Sequence, residues 1–479
     1  MELDYRIRQV LEHAVGPTGS VILHILIIYA LMRLLIFTTA EKAPEVEVVV
    51  MEPEAVELEE FEQELEQIEE LPELPEEMPT TEAVVPEETL DVEEAIAPME
   101  EVTDFAALDI RSEVQSPLII KGLFAGRSKS GRAAMLGKYA GRWGKYTERA
   151  VIKALEWLKK HQNADGSWGP PNKTAMTGLA LLTFLAHGET TASERYGETV
   201  EKAIKYLVAR QDAEGRFCKT ANQSGPYAHA IATYAISEAY GLTRIPALKA
   251  VMERAIQVIL DGQQDGGGWN YKYDRGPRRD TSVAGWQVQA LKAAYLAGAD
   301  NPGIKKAMEK SVADLKSVFN PETGRFGYTD KGSGTDGVCA IGILCLQFLG
   351  HGKDPEVRAA IQALKGAKCD WKDPGSWAVY GWYYISQANF HYGGSTWNAW
   401  NTRIARTLTR SQNPDGSWTA PGEAAGVKHG KETYLGKVYS TTLAALTLQV
   451  YYRFLPTYQP IAVQPEDETD TDDIEVEVI

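Results

Sequence analysis

Two hydrophobic patterns alternate along residues 148 to about 455, roughly two-thirds of the chain. The first has helical period with one apolar face. In 148–162, Ala150, Val151, Ala154, Leu155 and Leu158 lie on one side and Lys, Glu and His on the other. The second is apolar nearly all round, as in 174–188, 280–298 and 440–454. Between them stands a recurring signature: Gln or Asn, three residues, Gly, one residue, Trp or Phe. It reads Gln162–Gly166–Trp168, Gln211–Gly215–Phe217, Gln263–Gly267–Trp269, Asn320–Gly324–Phe326 and Gln412–Gly416–Trp418, with a degenerate copy Trp371–Gly375–Trp377. Successive starts are 49, 52, 57, 51 and 41 residues apart. This regularity marks an internal repeat of helix, glycine turn and helix. The glycine supplies the tight turn, the Gln amide ties up carbonyls left open at the helix end, and the aromatic ring seals the junction to the next unit. The more apolar second helices form an inner wall. Periodicity alone leaves open whether six hairpins close into a ring or run on as a solenoid.

Upstream, residues 20–38 form an apolar run of about 19 residues, about 28 Å as a helix, which fits one bilayer core. We read a single-pass anchor. The run is too long for a signal-peptide core and no small-residue cleavage site follows it. Arg33 snorkels toward the headgroups and His24 lies deeper. Arg6 and Arg8 precede the span and only Lys42 follows closely, which puts 1–19 in the cytoplasm and the body in the periplasm.

Residues 39–104 are an acidic, proline-punctuated linker. Between 41 and 104 stand 25 Asp/Glu and one Lys. Leu58, Phe61, Leu65 and Ile68 mark one short amphipathic stretch within it. Residues 105–147 are a basic, Gly-rich lead-in, read as ordered but irregular, and 457–479 are an acidic tail. The net charge of −17 is thus an average: residues 105–465 hold 45 Lys/Arg against 30 Asp/Glu, a balance of +15. That charge is dispersed, so nucleic-acid binding is not expected. Hydrophobic content of 44% excludes wholesale disorder. Four cysteines exclude a disulfide scaffold, and the absence of Cys-x-x-Cys excludes a zinc ribbon.

Two resemblances sharpen this picture. Ser20-x-x-x-His24 at the start of a lone anchor, followed by an acidic proline-punctuated spacer, resembles the TonB family, whose matching residues face an ExbB/ExbD-type motor. Ser20 and His24 are the positions carried over. The spacer is Glu-rich where that family is Pro/Lys-rich, and an ordinary anchor with a tolerated His is the alternative. The Gln-x-x-x-Gly-x-Trp copies resemble the repeats of the squalene–hopene cyclase and protein prenyltransferase families. That resemblance implies an all-α, six-hairpin α/α toroid over 148–456, with inner-helix N-termini aimed at an aromatic-lined centre.

The resemblance does not carry the chemistry with it. Class II cyclases use an Asp-x-Asp-Asp acid. Here the stretch is Pro277-Arg278-Arg279-Asp280, and only the last Asp remains. Neighbouring arginines are expected to lower its pKa, so Asp280 is a weak catalytic candidate and reads rather as an ion pair or N-cap. The zinc ligands of prenyltransferases are also missing: Cys339 stands one residue out and Ser440 replaces a His. No metal and no cofactor is expected. Cavity candidates are Tyr227, His229, Asp280, Trp286, Asp336, Tyr380, Trp382, Tyr383, Tyr384 and Tyr439. They suit an apolar isoprenoid or a glycan. The expected function is a membrane-tethered, non-catalytic binding or scaffold module at the bacterial inner membrane, coupled to a TonB-like motor. A cyclase or transferase with a degenerate site, and a purely structural envelope protein, are the alternatives.

Overall fold

In the computed structural model, residues 127–218, 225–276, 278–332, 334–422 and 432–453 are described. All lie within one compact unit, Met78–Ile479; the other unit, Met1–Glu77, is outside the described residues. So are the expected membrane span with Ser20 and His24, the acidic linker and the acidic tail. Among the described residues no helix is long and apolar enough to cross a membrane.

A lead-in helix α1 (Lys129–Tyr139) precedes six hairpins among the described residues. The first helices of the pairs are α2 (Gly144–Lys160), α4 (Gly197–Arg210), α6 (Pro246–Asp261), α8 (Ile304–Ser317), α10 (Pro355–Ala363) and α12 (Gly394–Arg410). The second helices are α3 (Lys173–Ala186), α5 (Gly225–Thr243), α7 (Thr281–Ala297), α9 (Asp336–Phe348), α11 (Ala378–Tyr392) and α13 (Glu432–Leu448), followed by a short α14 (Val450–Arg453). Each second helix packs on the next, and α13 packs on α3, so the ring closes. In α2 the expected face is buried, with Thr147 and Trp157 added to it. In α3 every residue after Lys173 is buried, as an inner wall requires. The lead-in, expected to be irregular, is helical from Lys129, where Ser128 caps the first turn.

The repeat signature supplies the mortar. The amide of Gln162 donates to Gly166 O and to Thr199 O of the next outer helix, at 3.0 and 2.9 Å. Gln211 bridges Gly215 O and Val251 O in the same way, and Gln263 bridges Gly267 O and Ala307 O. Gln412 closes the ring, donating to Gly416 O and to Ala150 O of the first outer helix, 262 residues back. The Gln therefore joins units. The Trp, expected to do so, ties back: the indoles of Trp168, Trp269 and Trp418 donate to Leu158 O, Ile259 O and Leu408 O of their own outer helices. Phe217 and Phe326 fill the same place without that bond, fully buried.

Two copies depart from the pattern. In the fourth, β1 (Phe319–Asn320) and β2 (Arg325–Phe326) form a small antiparallel ladder, and Arg325 reaches Ala363 O in place of a Gln. In the degenerate fifth, Trp377 is 36% exposed. There Trp382 takes over the seal, donating to Lys368 O, while Arg403 of α12 reaches back to Ala367 O.

The two chain ends of the ring meet at its base, the C-terminal end of the inner helices. There Glu148 binds His187, Arg132 and Tyr452, and the other nitrogen of His187 binds Glu189 at 2.8 Å. Burial opposes the charge on His187, but its bonds to the two carboxylates outweigh burial and raise its pKa above 6.5. A raised histidine stabilises fully below its unfolded value of about 6.5, and that stability fades as pH rises through the folded pKa. Between pH 6 and 9 the wild-type chain is therefore expected to lose melting temperature relative to His187→Gln. Parallel pH–melting curves for the two proteins would refute this.

Candidate functional site

At the opposite end, where the glycine turns deliver the N-termini of the inner helices, four tyrosines gather around Ser282. Asp280 caps α7: its Oδ1 accepts from the amides of Ser282 and Val283 and from the Ser282 hydroxyl at 2.6 Å. Ser282 Oγ lies 2.5 Å from the Tyr227 hydroxyl and 3.0 Å from that of Tyr328. Tyr328 continues to Tyr271 at 2.9 Å, and Tyr380 donates to Ser282 O at 3.3 Å. Asp280 is fully buried, whereas the four tyrosines are half-buried. Asp280 Oδ2 has no hydrogen-bond partner among the described residues.

The expectation for Asp280 divides. It is an N-cap as anticipated, but its pKa is raised, because burial outweighs the hydroxyls of Ser282 and Tyr271 and the two amides. The arginines do not hold it down. Arg279 turns away into a buried ion pair with Asp314, Nη2 to Oδ2 at 2.5 Å, and also donates to Thr281 and Tyr328 O. Arg278 is exposed, with its nitrogen 3.9 Å from Asp280 Oδ2 and its guanidinium over the Tyr271 ring.

Of the other candidates, only Tyr227 and Tyr380 join this mouth. Trp286, Tyr383 and Tyr384 lie on the inner helices: Trp286 stacks on Tyr383, edges onto Tyr384, and borders Tyr380. Gln289 binds both tyrosine hydroxyls. Beyond them, Arg453 lies over Tyr234 and Tyr383 and reaches both hydroxyls.

The remaining four candidates lie elsewhere. His229 faces the second turn and outer helix α6: Nδ1 accepts from Phe217 N and Nε2 donates to Ala255 O, which fixes a neutral ring. Burial lowers its pKa to about 4. Thr177 and Thr441 perform the same service for Trp168 N and Trp418 N. His229→Ala is accordingly expected to destabilise by about 1–3 kcal/mol, the cost of an orphaned buried amide, leaving any ligand binding intact. A denaturant midpoint unchanged by that substitution would count against the assignment. Asp336 forms a half-exposed ion pair with Arg325. Trp382 faces its own turn and Trp371. Tyr439 is buried in α13, above the break in the helix at Gly436.

Sequence reasoning missed Tyr271, Tyr328 and Ser282. A signal for the first two exists: in the third and fourth copies alone a tyrosine stands two residues after the signature aromatic, Trp269-x-Tyr271 and Phe326-x-Tyr328.

No family model matches the chain. Over 81 residues it is 38% identical to the squalene–hopene cyclase of Zymomonas mobilis, covering 14% of this chain and 12% of that protein. Over 82 residues it is 35% identical to the drimenyl diphosphate synthase of Streptomyces showdoensis, covering 16% and 15% respectively. The chain thus matches only a small part of the length of these curated relatives. Among solved structures, the GH76A α-1,6-mannanase of Salegentibacter sp. HEL1_6 aligns at TM-score 0.49 and 12% identity, covering 65% of this chain and 99% of that one. The type II terpene cyclase MstE of Scytonema aligns at 0.43 and 12%, covering 65% and 99%. With its signature turns and closed ring, the chain is a squalene-cyclase-like α/α repeat protein.

Proposed function

We propose that the ring is a non-catalytic binding module whose ligand sits at the tyrosine mouth. One observation carries the reading. Trp286, Tyr383, Tyr384, Tyr234 and Arg453 are each at most 1% exposed. A hollow wide enough for a polyprenyl substrate would leave its lining accessible to a water-sized sphere, so these inner side chains fill the space they surround. Arg279 adds support, since it stands where the cyclase motif has an acid and is itself neutralised by Asp314.

On this reading residues 20–38 anchor the module in the inner membrane with the body in the periplasm, and Ser20 and His24 face a TonB-like motor. That part rests on the sequence alone. Residues 127 and 453 meet at the base, where Arg127 donates to Arg453 O.

The rival is a terpenoid cyclase or prenyl transferase. It is favoured by the curated relatives and by the buried Asp280, whose pKa burial raises. Incubating the full chain with squalene and with geranylgeranyl diphosphate separates the two. Intact substrate is the expected result; a cyclised or transferred product, lost in Asp280→Asn, would establish the enzyme instead.

A further inference from the structure

No acidic residue stands between Glu113 and Glu148, a stretch that carries seven Lys and Arg. The structure separates these cations into two groups. Arg127 and Arg132 turn inward, Arg127 onto Glu238 and the carbonyl of Arg453, Arg132 onto Glu148. Lys129 and Lys138 are exposed on α1, Lys138 over the Tyr139 ring, and Arg142 and Lys145 are exposed just beyond it. The exposed positions between the two lysines of α1 include the small residues Ala133, Ala134 and Gly137. Lys129, Ala133 and Gly137 follow one another at four-residue spacing and share a side of the helix, with Ala134 and Lys138 next to them. Packing does not require the glycine at 137, since an added Cβ would meet nothing within 4 Å, and a glycine weakens a helix relative to alanine. The face is low, cationic and open to the close approach of another backbone.

The chain itself supplies the complement. Residues 466–477 hold eight Asp/Glu, and no Lys or Arg follows Arg453. The point from which this tail departs is fixed. Helix α14 packs on α1, and Arg453 O accepts from Nη2 of Arg127 at 2.9 Å, two residues before α1 begins. The eleven residues of α1 are about 16 Å long. Residues 454–465 reach at most about 40 Å, enough to bring 466–477 alongside any part of the helix. A tether of this length gives the tail an effective concentration on the order of millimolar. The other acidic segment, 41–104, has 16 of its 25 carboxylates in the separate unit Met1–Glu77, whereas the tail belongs to the same unit as α1. An anionic bilayer would have to compete with this partner tethered beside the helix.

We propose that the exposed face of α1 is the docking site of the chain's own acidic tail. Lys129, Lys138 and Lys145 meet the carboxylates of 466–477, and Ala133, Ala134 and Gly137 let the tail backbone lie close. The contact is independent of what the mouth binds. Carbodiimide coupling of the full chain in a non-ionic detergent, mapped by mass spectrometry, tests it, because that reagent joins only an amine and a carboxylate that touch. Links from Lys129, Lys138 and Lys145 to 466–477 are expected at about 0.05 M salt and should fall about fivefold or more at about 1 M, where screening shortens to about 3 Å. Lys306 and Lys310, exposed on α8, are the control and should link to the tail far less. Gly137→Tyr meets no neighbour in the fold, and by holding the tail off the helix it should cut the Lys138 link about threefold. A mixture of isotope-labelled and unlabelled chains shows whether each link lies within one copy. Links to 41–104 in place of the tail would assign the face to the linker, and mixed-isotope links would assign it to a second copy. Either result overturns the proposal. So do equal links at Lys306 and Lys310, links indifferent to salt or to Gly137→Tyr, and no links at α1 at all, the result expected if these lysines serve an anionic bilayer.

Discussion

Glu238→Leu is expected to lower the stability of the ring by about 3–5 kcal/mol, the usual result of removing one partner from a buried ion pair. Glu238 is 5% exposed, and its Oε2 lies 2.5 Å from Nη1 of Arg127, which is 1% exposed. Its charge also acts on Arg453, whose guanidinium is otherwise surrounded by the Tyr234 and Tyr383 rings and hydroxyls. Without Glu238, two buried guanidiniums lose this carboxylate, and the carbonyls and phenols beside them satisfy N–H donors but do not cancel charge. Glu238→Gln keeps an acceptor and should cost less. The double variant Arg127→Met/Glu238→Leu should recover part of the loss, because it removes one of the two buried cations together with the carboxylate. Denaturant midpoints for the four proteins decide the matter. A Glu238→Leu midpoint equal to wild type would mean that the base clasp adds nothing to stability.

Gly416→Ala should be nearly as damaging, at about 3 kcal/mol or more, from left-handed strain plus overlap. Gly416 has φ +88°, and an added Cβ would stand 2.4 Å from Lys153 O in α2. That is closer than a carbon and an oxygen approach without bonding, and the obstacle is backbone, so the sixth turn must lift off the first outer helix. The same movement breaks Gln412 from Ala150 O, the bond that completes the ring. Gly350 is the control: φ is +87° there, but nothing lies within 4 Å of the added methyl. Gly350→Ala should cost only the strain, about 1–2 kcal/mol. Equal melting-temperature losses for the two substitutions would show that the seam is not held by this turn.

How far the sequence reached depends on how local each requirement is. A hairpin needs an amphipathic helix, a turn with one left-handed residue, and an apolar helix, all within about 50 residues, so Gln162, Gly166, Trp168 and their counterparts were legible at once. The degenerate copy misled because its seal moved one turn into α11: Trp382 is buried and Trp377 is not. His229 was read as a cavity residue because an inner-helix start looks the same from outside. Only packing shows that it turns toward Phe217 and Ala255, doing work that Thr177 and Thr441 do elsewhere. Arg279 was read with its sequence neighbour Asp280, but its partner is Asp314, 35 residues on.

The sequence by itself determined the repeat, the inner and outer roles of the helices, and the N-cap at Asp280, because these follow from spacing and from the chemistry of adjacent residues. Closure of the ring, the Tyr227–Ser282–Tyr328 cluster, the raised Asp280 carboxyl and the Arg127–Glu238 clasp were decided by tertiary structure. Each depends on burial and on hydrogen bonds between separate helices. Those are properties of distance in space, and distance along the chain does not encode them.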